Sequence, residues 1–100
     1  MKLSIAEVKR RLPVNKEFTG EFIGRNRGIA GYTVAKRRVV RQGGTMCCIL
    51  LDGPKAGQKI YLDWRGVQAL ERDGSIILIQ TAREDEEFLK ITFGESHAAP

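Results

Sequence analysis

Two stretches of this sequence are apolar on both faces when drawn as strands, and they constrain the fold more than any other feature. In residues 45–51, Met46, Cys48 and Leu50 oppose Cys47, Ile49 and Leu51; in residues 76–79 every side chain is aliphatic. A strand with one polar face can rest on a core and meet water, but a strand apolar on both faces needs cover twice. The chain must therefore find a second layer in a helix, in another sheet layer or in a second subunit. At 100 residues it has length for one core and not two. Residues 1–94 are read as a single β-rich domain, with a disordered tail expected over 95–100.

Turn chemistry divides the chain into short strands. Residues 16–23 alternate, with Phe18 and Phe22 on one face and Thr19 and Glu21 on the other; Gly20 between the phenylalanines predicts a bulge or bend. Residues 30–41 form the second strand, opening with Tyr32 and Val34 opposite Thr33 and Ala35. Gly43 and Gly44 separate it from the apolar run, which ends in a turn at 52–57. Residues 58–63 place Ile60 and Leu62 inward, and Trp64, Arg65 and Gly66 read as a corner. Asp73-Gly74 between 67–72 and 75–80 is the signature of a two-residue hairpin, although Val67 and Leu70 also suit one helical turn. Residues 87–93 make the last strand.

The N-terminus differs. Ser4 and Glu7 fit a capping box, and Ile5, Val8 and Leu12 then share one helical face before Pro13 stops the helix. A helix over about 4–12 is too short to stand alone and must dock its stripe, most simply on its own sheet. The predicted fold is mainly β: a small antiparallel barrel or sandwich of six to seven short strands, paired consecutively, with one short N-terminal helix.

Charge is unevenly spread. Net charge is +5 overall. Residues 1–41 hold 11 Lys and Arg against three Glu, whereas the remainder is net acidic. The densest positive run is in 32–44, where Lys36, Arg37, Arg38 and Arg41 follow the alternating start of the second strand. Consecutive cations load both faces, and a charge within a covered sheet is costly, so the strand is expected to bulge at 36–38 or to project past the rim.

Catalytic constellations are missing from the sequence. His97 is the lone histidine and falls in the tail; Cys47 and Cys48 are adjacent and point to opposite sides of a strand, which suits neither a disulfide nor a zinc site. Glu84, Asp85, Glu86 and Glu87 read as a solvated turn rather than a metal site. No P-loop, dinucleotide fingerprint or nucleophile elbow occurs. A non-enzymatic protein without cofactor or metal is expected. Free thiols, a charged N-terminal segment and no apolar run of membrane-spanning length point to a reducing cytoplasm with no membrane role.

Nucleic acid, DNA or RNA, is the partner class this charge pattern favours. Arg25 and Arg27, flanking Asn26 in a glycine-framed loop, join Lys36, Arg37, Arg38 and Arg41 on adjacent segments that a hairpin brings together. Tyr32, and with less support Tyr61, offers a surface for base stacking. Lys9, Arg10 and Arg11 extend the surface if the helix packs alongside. Contact with the phosphate backbone, with little sequence specificity, is the expected mode. The competing reading is a protein-interaction or inhibitory module whose basic face meets an acidic partner. A homodimer pairing its doubly apolar strands is compatible with either.

Overall fold

The computed structural model describes residues 1–24 and 33–94. Ser4 caps the first helix as its sequence requires: its Oγ accepts the Glu7 amide at 3.0 Å, and α1 runs Ile5–Arg11. The reciprocal half of the capping box does not form. The Glu7 carboxylate instead accepts Arg11 Nε at 2.8 Å and also pairs with Arg10, since both cations lie one turn along the same helix. Val8 and Leu12 are fully buried, and Ile5 packs beside them, so the stripe docks on the chain's own sheet, chiefly over the strand Val67–Arg72. Full burial of a side chain of this size contributes roughly 1.5–3 kcal/mol.

Among the described residues, eight antiparallel strands form one sheet: β1 (Lys2–Leu3), β2 (Glu17–Phe22), β3 (Val34–Arg41), β4 (Thr45–Leu50), β5 (Lys59–Asp63), β6 (Val67–Arg72), β7 (Ser75–Gln80) and β8 (Glu86–Thr92). The seven strands read from the sequence are present among the described residues, and β1 is a two-residue addition. Residues 30–32 of the expected second strand lie outside the described residues. Val67–Arg72 is strand rather than helical turn. Asp73 and Gly74 link it to β7 with φ of 53° and 80°, both positive as a type I′ turn demands.

The pairing is not consecutive throughout. Two meanders, β2 to β5 and β6 to β8, are joined by β8 pairing with β2, giving the order β1-β6-β7-β8-β2-β3-β4-β5. β5 and β6 thus follow each other in the chain yet lie six places apart in the sheet, about 29 Å along a flat one. The link between them, Trp64 to Gly66, reaches ~14 Å at full stretch. Only a rolled sheet satisfies both, and the expected corner is what brings its two ends together. One buried cluster accordingly draws residues from α1 and from strands all round the sheet, including Phe18, Val39, Met46, Cys48, Ala69, Leu78 and Ile91.

Trp64 closes one end of this core. It is buried, and its Nε1 donates to Gln42 Oε1 at 2.9 Å, while Gln42 Nε2 donates to the Leu12 carbonyl at 3.3 Å. One amide thereby ties the helix end to the β5–β6 corner. The doubly apolar strands find their cover within a single chain. Cys47, on the outer face of β4, and Ile77, on the outer face of β7, are each 3% exposed. The Arg72–Glu87 pair, 2.6 Å at its shortest, spans β7 on the face that carries Ile77.

Candidate functional site

The basic run folds into β3, and strand alternation divides it. Ala35, Arg37 and Val39 face inward and are buried; Val34, Lys36 and Arg38 face outward. The bulge expected at 36–38 is absent there. The ladder is regular through Arg37, which lies opposite Phe18 on β2 and Leu50 on β4; the register slips only between Val39 and Arg41, leaving Val40 as the extra residue. That slip restores Arg41 to the outer face, opposite Cys47.

Arg37 therefore does not belong to the surface on which the sequence reading placed it. Only 3% of it is exposed. Its guanidinium lies 5.1 Å from the Phe22 ring centroid, a cation–π contact, and it occupies the space left by Gly20 on the neighbouring strand. A Cβ at Gly20 would fall on that guanidinium, within 3.0 Å of Arg37 Cδ as well. Gly20 is thus neither bulge nor bend, since it pairs regularly with Ala35 and Ile91. The charge reaches Cys48 too. Burial pushes the Cys48 thiol up to about 11, while Arg37 opposes that rise and Cys47 adds to it.

What remains on the outer side is a coherent surface across β3, β4 and β5. In one row Arg38, Ile49 and Lys59 are cross-strand neighbours; in the next, Arg41, Cys47 and Tyr61 are. Lys36 precedes them on β3, with its backbone amide donating to Asp52 Oδ1 at 2.9 Å. Lys36, Arg41 and Lys59 are exposed, Arg38 is half-buried, and Tyr61 is 62% exposed. None of the four cations forms an ion pair with a described residue. Glu17 stands opposite Arg38 from β2, and Asp63 closes the β5 side. Asp63 is engaged by Arg65, whose side-chain hydrogen bonds hold its carboxyl below the usual carboxylate range. The surface spans about 10 Å across three strands and ~7 Å between Lys36 and Arg38 along one.

Arg25, Arg27 and Tyr32, the loop part of the expected site, lie outside the described residues, as does His97. Two of the three helix cations do not join the surface as free charges: Arg10 and Arg11 pair with Glu7, and Arg11 Nη1 also lies 3.7 Å from Glu71. Lys59 was not among the residues the sequence singled out. Its outward position on 58–63 was legible, but its adjacency to β3 depends on β4 lying between them. Glu84 and Asp85 are exposed in left-handed backbone, and Glu87 is drawn to Arg72. Among the described residues no group of three or more His, Cys, Asp and Glu is placed to hold a metal ion, and no helix is long and apolar enough to cross a membrane.

No family model, curated protein or solved structure matches this chain.

Proposed function

We propose that this protein binds the phosphate backbone of nucleic acid, with little sequence preference, through the outer face of β3, β4 and β5. The observation that carries the reading is that Lys36, Arg38, Arg41 and Lys59 share one face with exposed Tyr61, without a described acid paired to any of them. Cations held by a sheet at fixed spacing release counterions from a polyanion on contact, and an exposed ring among them gives an unpaired base a place to stack. Arg25, Arg27 and Tyr32 are further contributors on sequence grounds. Arg37 is not a contact residue in this reading. It is a binding protein, not a catalyst, and its two free, buried thiols suit a reducing compartment such as the cytoplasm.

Fluorescence anisotropy with labelled single- and double-stranded DNA and RNA tests it. About four neutralised phosphates on a single strand predict a slope near −3 for log affinity against log salt, or ~60-fold weaker binding between 50 and 200 mM. The triple variant Lys36→Glu, Arg38→Glu, Arg41→Glu should lose at least about tenfold while keeping its fold by circular dichroism. Arg83→Glu, on the Thr81–Arg83 turn, should bind like the wild type. No binding at low salt, or a folded triple variant that binds normally, removes the proposal. An acidic protein partner is the second reading, favoured by the position of β5 at one end of the strand order, where an added strand can pair.

A further inference from the structure

β5 is hydrogen-bonded along one side only. It pairs with β4 in unbroken register and ends the strand order, whereas at the opposite end β6 is covered by the two residues of β1 and by Met1, which exchanges bonds with Glu71. The Leu50 amide donates to the Gln58 carbonyl at 2.9 Å and the Trp64 amide to the Gly44 carbonyl at 3.3 Å. Antiparallel pairing alternates, so Ile60 and Leu62 also turn their backbone groups to β4, and Lys59, Tyr61 and Asp63 turn theirs away from it. No hydrogen bond from the described residues meets these outward amides and carbonyls. The strand has no proline and no bulge to blunt its edge.

We propose that this edge pairs antiparallel with β5 of a second copy, about a two-fold axis at Tyr61. The sequence of the strand is self-complementary in that register. Tyr61 faces the partner's Tyr61, Lys59 faces the partner's Asp63 on the outer face, and Ile60 faces the partner's Leu62 on the inner face. The opposed residues Lys59, Tyr61 and Asp63 are those whose backbone groups point outward, so each pair exchanges two hydrogen bonds. Ile60 and Leu62 are only half-buried within one chain and gain cover from their counterparts; the tyrosines form an aromatic cross-strand pair. A slip by two residues in one direction sets Lys59 against the partner's Arg65, like charge on like. In the other it sets Lys59 against the partner's Tyr61 and leaves Asp63 without an opposed residue in the strand. Asp63 keeps its own Arg65, so the charges select register more than they add affinity. An edge of five residues a side is small beside the ~20–30 of a standard interface, and two chains of net charge +5 repel, so the dimer is weak and tightens with salt. The pairing involves no nucleic acid and stands whether or not the outer face binds one.

Sedimentation equilibrium of the full chain at about 0.15 M salt and from about 10 μM to 2 mM protein tests it, with a dimer of Kd near 0.1 mM expected. Tyr61→Pro removes an outward amide that β4 does not use; it should fold by circular dichroism and dimerise at least about tenfold more weakly. Lys59→Asp and Asp63→Lys each set like charges opposite one another in a homodimer but complement each other in a mixture. An equimolar mixture should therefore associate at least about threefold more tightly than either variant alone. If Tyr61→Pro does not fold, the mixture decides. A monomer up to about 2 mM, which would leave the edge to a foreign strand, would overturn the proposal. So would a folded Tyr61→Pro that dimerises like the wild type, or a mixture no tighter than its components.

Discussion

Arg37 sits where a cation is costly, and the residue that makes room for it is a glycine on the next strand. Gly20→Ala places a methyl against the guanidinium within a regular ladder, where neither strand has slack. The expected loss is about 1–3 kcal/mol, the cost of overpacking, read as a lower urea midpoint with unchanged slope. The double variant Gly20→Ala, Arg37→Met should recover part of that loss, because the second change removes the clash. Equal losses in the single and double variants would show that the strain lies elsewhere. Gln42→Ala removes the acceptor of the Trp64 indole and should cost ~1–3 kcal/mol, with a red-shifted Trp emission if water enters the corner. Alternation along 33–40 could have revealed which of the three consecutive cations turns inward, since Arg37 falls between Ala35 and Val39. Weighing desolvation alone favoured a bulge instead. The compensating space comes from Gly20 and Phe22, and their position beside Arg37 depends on a register that no local pattern encodes.

At the scale of elements, the hairpin and the helix were legible because their signals are local. The Asp73-Gly74 pair dictates its own backbone, and Gly74→Ala, forcing a Cβ into φ 80°, should cost about 1–2 kcal/mol by the same denaturation measurement. Ser4 and the Ile5, Val8, Leu12 stripe likewise announced α1 and its docked face. The β8–β2 pairing was not legible, because it joins strands more than 60 residues apart and neither carries a mark for the other. Both cysteines of β4 are buried on opposite faces. They should react with a thiol reagent such as DTNB at pH 8 only as fast as the protein unfolds; prompt reaction of either one in the folded protein would contradict the described packing.

For the whole molecule, the rolled sheet segregates two kinds of positive charge that the sequence presents as one run. Arg37 belongs to the interior; Lys36, Arg38 and Arg41 belong to the exterior, where Lys59 and Tyr61 from β5 join them. The exterior pair Arg72–Glu87 also gives the fold an acid-sensitive contact. The hydrogen bond from Arg72 holds Glu87 below its ordinary 4.5, so this contact stabilises above that value and is lost as pH falls through the depressed one. Glu87→Gln should therefore flatten the fall in stability below about pH 4.5, with an unchanged acid limb as the contrary outcome. The outer face of β3 to β5 is the proposed seat of the nucleic-acid backbone. The most direct measurement is ¹⁵N amide shift mapping with a short oligothymidylate at low salt. Binding there should give shifts concentrated at Lys36, Arg38, Arg41, Cys47, Lys59 and Tyr61, fading as salt is raised. Shifts centred on α1 or the β6–β7 hairpin, with these six unmoved, would contradict it.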